Sequence, residues 1–321
     1  MASPSPEPPE PPAAAGRRRG LAWLLLPALL VGLLALYYVA GALWFHRIDD
    51  DPGLGETIEV TPPASRAVAA AALLVRREVE VHRWTANDPW FQPTALLDNM
   101  PNYQQGIVAA VARFAVELRD HLSRVRGTSQ VDADAERAAG RLNYPGDVWF
   151  LEWSTTPVQP SSESQYRRAI EDLERYNARL GRGEATFERR ADNLMATLER
   201  IAADLGAAAA AVDEKALGGS GAWYDWDADD LFYTNKGRLY AYRVLLGELG
   251  KDMEGILRER GLGRVWEQML ASLGRAAALE PRVVANGTPD GLLWPNHLLA
   301  QGYLLLLARF QLYEVVNILQ K

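Results

Sequence analysis

The sequence predicts an all-α protein: an N-terminal transmembrane helix followed by an elongated antiparallel bundle of about seven or eight helices with heptad seams. Three observations carry that expectation. Residues 21–45 contain no charge, apolar residues beyond Ala64 recur at steps of three and four, and only "DVWFLEW" at 147–153 reads as extended.

The first 20 residues are rich in Pro, Ala and Ser without apolar periodicity, which predicts a disordered tail. The apolar run 21–45 then spans about 37 Å as a helix, more than the roughly 30 Å of a bilayer's hydrocarbon. Pro27 lies near its start, and Tyr37, Tyr38 and Trp44 lie towards its end, where amphipathic rings favour the interface. Arg17, Arg18 and Arg19 precede the run and Asp49, Asp50 and Asp51 follow it, so the positive-inside rule keeps the N-terminus cytoplasmic and exports the remainder. A cleaved signal peptide is the rival reading, since "AGA" at 40–42 resembles a cleavage site. The run is longer than an ordinary signal core and continues through Phe45, which favours a retained anchor.

Residues 46–63 form a linker punctuated by Gly and Pro, and 64–321 form the helical domain. Helices are expected over 65–83, 102–126 (stopped by Gly127), 133–142 and from 161 to about 180. The clearest seam runs Phe187, Ala191, Leu194, Leu198, Ile201, Leu205, Ala208 and Val212, and another runs from Leu239 to Ile256. Helices over about 263–279 and 295–320 complete the set. The last contains "LLAQGYLLLLARF", too short between polar residues for a second span, so a buried core helix is expected.

Composition excludes several functions. The chain has no cysteine, which removes disulfides, thiolate catalysis and Cys-ligated metals. Its net charge of −7 argues against nucleic acid, which needs a basic surface to displace counterions. No cofactor signature is present. Glu78/His82 and Glu117/His121 resemble the carboxylate–histidine pairs of di-metal bundles, but their spacing is one residue too long, and hydrogen-bonded pairs are expected instead. "DWDADDLFYTNK" from Asp225 begins like a calcium loop, yet has Asp230 where glycine belongs and Lys236 where glutamate belongs. Asp227 is read as a helix cap, and no metal site is assigned. Asn177 and Asn235 at seam positions are expected to set register.

Three connections are rich in Trp and Asn: 84–101, 217–227 and 281–296. Each leads into the N-terminus of a long helix. If the helices alternate up and down, all three lie at one end, which is the end distal from the membrane if the first helix starts beside it. Trp84, Asn87, Trp90, Asn99, Trp223, Trp226, Asn286, Trp294 and Asn296 are therefore the candidate ligand or partner surface. The competing reading is structural, with the indoles plugging the core and the amides capping helices.

The domain also resembles the family of domain of unknown function 2333 (DUF2333). The resemblance rests on "RREVEVHRWTANDPWFQPTALLDNMPNYQQGI" (76–107), "ERRADNL" (188–194), "KGRLYAY" (236–242) and "NGTPDGLLWPNHLLAQGYLLLLAR" (286–309). It implies a bacterial single-span membrane protein and carries over no catalytic residue. With the positive-inside rule, it implies an inner-membrane protein with a periplasmic domain. The expected function is to bind envelope partners, protein or peptidoglycan, through the Trp/Asn-rich loops. The alternative is an envelope enzyme acting on glycan or peptide.

Overall fold

The computed structural model describes residues 15–124, 131–151, 158–218, 225–281, 283–287 and 295–321. Ten α-helices are found among them and no strand; the only β-type pairing among them is an isolated bridge between Asn286 and Asn296. Helix α1 (Ala15–Phe45) begins six residues before the predicted start at 21, so Ala15 to Gly20, expected as tail, are helical. The rest of that tail lies outside the described residues.

From Leu25 to Phe45, α1 is long and apolar enough to cross a membrane, and Leu26, Leu30, Val31 and Leu43 are all exposed. Helix α10 (His297–Leu319) also meets that criterion of length and composition. It packs against α6, α7 and α9 and so belongs to the bundle.

The domain is built from α2 (Arg66–Arg76), α3 (Asn99–Glu117), α4 (Ala133–Leu142), α5 (Ser162–Gly181), α6 (Ala191–Gly218), α7 (Trp226–Asp252), the short α8 (Glu254–Glu259), α9 (Gly263–Ala277) and α10. Helices α2 and α3 each end in a π turn, at Arg77–Val81 and Leu118–Leu122. The predicted seams face the core: Val68, Val75, Phe114, Leu194, Leu205 and Leu246 are all fully buried. The seam drawn through to Ile256 is broken at Met253, where α7 ends and α8 begins.

Cross-helix bonds give each helix its direction. Tyr242 of α7 donates to Asp204 of α6, and Lys215 at the end of α6 pairs with Asp225 at the start of α7. Trp266 of α9 packs on Gly250 near the end of α7, while Ala277 at the end of α9 accepts from Lys236 near its start. Asn177 near the end of α5 bonds Ser65 at the start of α2, and Trp84 just beyond α2 packs on Tyr166 near the start of α5. With α8 as an appendage of α7, these make an eight-helix up-and-down bundle. Helices α3, α5, α7 and α10 start at one end and α2, α4, α6 and α9 finish there.

The linker decides which end that is. Leaving α1, it does not turn directly into α2 but runs along α7. Asp49 O accepts from Tyr103 (2.6 Å) and Arg77 (2.7 Å), and Asp50 Oδ2 accepts from Lys236 Nζ (2.6 Å). Next, Asp51 O accepts from Tyr240 (2.9 Å) and Pro52 O from Arg243 (3.0 Å). Arg66 then holds Gly55 O and Ile58 O while pairing with Glu248. The chain reaches the opposite end before α2 starts. There Ser65 caps α2, and Asp252 accepts from the N–H groups of Arg66 and Ala67. The described parts of the three Trp/Asn-rich connections therefore lie at the end where α1 meets the bundle, not at the far end as the sequence predicted. The 18 residues of 46–63 reach about 60 Å when extended, enough to traverse the bundle.

Candidate functional site: the aromatic end beside α1

Loop 84–98 is organised from within. The π turn closing α2 leads into Arg83, a non-glycine residue with φ of +68°. Its guanidinium bonds Asp88 and the side chain of Gln92, and Thr94 closes onto Asp88. Trp84 is 1% exposed, donates Nε1–H to Gly146 O (2.9 Å) and packs edge-on against Tyr166. Asn87 is buried and donates to Val148 O and to Glu163, both at 2.8 Å. These two side chains stitch loop 84–98 to loop 143–151 and the start of α5. They are structural plugs.

The outer surface of the same loop meets α1. Tyr37 OH donates to Phe91 O (3.0 Å), and Tyr38 OH donates to Trp90 O. Gly41 lies directly on Pro93, where a Cβ would come within 2.5 Å of the carbonyl oxygen; only glycine permits that approach. Arg83 stacks over Phe45. Trp90 itself is 80% exposed, and a chain of edge-on rings runs from it through Phe91 and Trp149 to Phe150.

On the other side of α1's exit, Trp226, Leu96 and Val283 are exposed around a shallow pocket of about 300 Å³ that His46, Asn99 and Tyr233 also line. Asn286 donates to Lys215 O and Asp225, while Asn296 caps α10 and donates to Asn286 and Gly287 O. This pair fastens the loop before α10 rather than facing outward. The cap of α7 is Asp225, not Asp227, which lies in the first turn and pairs with Lys215.

Of the nine predicted residues, the structure thus leaves Trp90 and Trp226 exposed, puts Asn99 at a pocket edge, and gives Trp84, Asn87, Asn286 and Asn296 internal partners. Trp223 and Trp294 lie outside the described residues, as does Thr288 of the "NGT" sequon. Sequence reasoning missed Phe91, Leu96 and Phe150, whose apolar side chains beside a Trp in a polar loop were the available signal. It also missed Asp98 near the same pocket, and it read Asp229 and Asp230 only within the helix start after Asp225, not as neighbours of Asp98. Burial, then the neighbouring Asp230 carboxylate, pushes Asp98 up to about 7; burial followed by Asp230 brings Asp229 to about 6.

The two Glu/His pairs are kept apart. Glu78 and His82 lie at this end in a closed network with Arg77 and Gln104, whereas Glu117 and His121 lie at the far end of α3. Among the described residues, no group of three His, Asp or Glu side chains is arranged to hold a metal.

Residues 18–219 match the family model described as "Uncharacterized protein conserved in bacteria (DUF2333)". The chain belongs to that family. The DUF2333 match takes in α1, the linker and α2 to α6; α7 to α10 lie beyond it. No curated protein and no solved structure matches the chain.

Proposed function

We propose that this DUF2333 protein is a single-span module of the bacterial inner membrane, with the N-terminus cytoplasmic and the bundle periplasmic. Its aromatic end is seated in the outer interface of the bilayer, and its far end is offered to envelope partners. The observation that carries this reading is the joint between Tyr37, Tyr38 and Gly41 of α1 and the backbone of Trp90, Phe91 and Pro93. An interfacial depth for Tyr37 and Tyr38 gives Trp90 and Phe91 the same depth, and an indole is favoured there because its ring is apolar and its N–H polar. The domain is then held rigidly on the bilayer rather than tethered to it. A protein or peptidoglycan partner would meet the opposite end, where a cleft of about 780 Å³ is lined by Arg243, Lys251, Arg258, Trp266 and Glu267.

Because the chain has no cysteine, single-cysteine variants can report position. A spin label at Trp90→Cys in nanodiscs should be accessible to oxygen and shielded from a water-soluble nickel complex, whereas one at Glu259→Cys at the far end should show the reverse. Equal exposure of both labels to nickel rules out the seated domain. For topology, Lys321→Cys should react with an impermeant maleimide in intact spheroplasts; reaction only after lysis reverses the orientation.

A further inference from the structure

Helix α10 carries two apolar seams on opposite faces. Leu298, Leu305, Ala308, Leu312, Val315 and Leu319 are buried in the bundle. On the outer face, Tyr303 is 67% exposed, Leu306 51%, Phe310 67% and Tyr313 37%, at steps of three, four and three. Leu299, four residues back on the same line, is half-buried against the bundle, and exposed Asn317 extends the outer seam four residues on. From 303 to 317 the exposed seam is about 21 Å long. A helix apolar all round is ordinarily covered on every side, and here the face from Tyr303 to Asn317 has no other helix over it among the described residues.

We propose that the outer seam is the interface of a parallel homodimer, with α10 of one copy against α10 of a second. The spacing makes Tyr303, Phe310 and Asn317 the a positions of a heptad and Leu299, Leu306 and Tyr313 the d positions. Arg309 then falls at g and Glu314 at e. In a parallel pair, each g side chain meets the e position five residues further on in the other copy, so Arg309 faces Glu314 twice by symmetry. Arg309 is poised for this. Its guanidinium lies over Tyr313, 5.4 Å from the ring centroid, and its Nε is buried without a hydrogen-bond partner. Asn317 stands at an a position, where an amide pairs best with its own copy in a parallel two-stranded register. The fold adds an orientation: α10 starts beside α1 and runs away from it, so two copies inserted in one membrane point α10 the same way. That last argument rests on the membrane reading above; the heptad and charge pattern do not.

The full chain decides it by cysteine cross-linking, in native membranes and after purification in detergent. Oxidation of Leu306→Cys or Phe310→Cys should give a species of twice the chain mass, while Glu171→Cys on the exposed face of α5 stays single. Arg309→Glu alone, or Glu314→Arg alone, should weaken dimerisation about tenfold, since symmetry creates two like-charge contacts. The double exchange should restore it, which a misfolded variant could not do. A monomer by light scattering with no self-cross-link at 306 or 310 overturns the proposal, as does cross-linking only to a protein of another mass. The purified chain gives its answer even if the nickel and maleimide experiments reject the membrane reading.

Discussion

Asp98 shows how a loop carboxylate acquires a pH response. Its folded-state value of about 7, raised by burial and by Asp230, means that the folded chain keeps a proton that the unfolded chain releases near pH 4. Its contribution to stability is therefore fully present below about pH 4, falls as pH rises and is gone above about pH 7. Asp98→Asn should raise the melting temperature by a few degrees at pH 8 and leave it unchanged at pH 4; a gain of the same size at both would place the effect elsewhere. Lys236 is the opposite case, a buried cation with every donor used. It is 1% exposed, and its ammonium holds Asp50, Ala277 O and Leu279 O, so it clamps the linker to α7 and α9. Removing one partner of such a site strands the others, and Lys236→Met should cost about 3 kcal/mol in urea unfolding.

Helix α7 is the central element, and its closest neighbour is α3. A Cβ on Gly106 would come within 2.0 Å of Thr234 O, and one on Gly237 within 2.0 Å of Tyr103 O. The two backbones touch, and alanine at either place has no side-chain rotamer to escape into. Gly237→Ala should destabilise the fold by about 3 kcal/mol, because backbone must move. Gly247→Ala on the same helix, with nothing within 4 Å, should stabilise by about 0.5 kcal/mol through helix propensity. Equal effects from the two would mean that α3 and α7 are not in backbone contact. The helix seams were legible because burial imposes the 3–4 spacing directly on the sequence. The π turns at 77–81 and 118–122 were not, since one wider turn leaves that spacing almost unchanged.

At the scale of the molecule, the alternation of the helices was legible, and it does gather the described parts of the Trp/Asn-rich loops at one end. Their position beside α1 was not legible, because it depends on the route of an 18-residue linker whose anchors are mostly its own carbonyls. Carbonyls are the same in every sequence. Their partners Arg77, Tyr103, Tyr240 and Arg243 are scattered over three helical segments. Replacing the donors Tyr103, Tyr240 and Arg243 by Phe, Phe and Met should therefore make the segment between Phe45 and Arg66 sensitive to limited proteolysis, while the native chain resists. Resistance in both would show that these carbonyl contacts do not hold the linker.

What the sequence determined by itself was local and periodic: the uncharged 21–45 run, the heptad seams, the helix start at 161 and the absence of cysteine chemistry. Only the tertiary structure decided which aromatic residues face outward. Trp84 and Trp90 occupy the same polar loop six residues apart, yet one packs on Tyr166 and the other protrudes beside α1. An indole in a loop carries no mark of its neighbours, because burial there is imposed by distant segments such as Gly146 and Tyr37 rather than by any period along the chain.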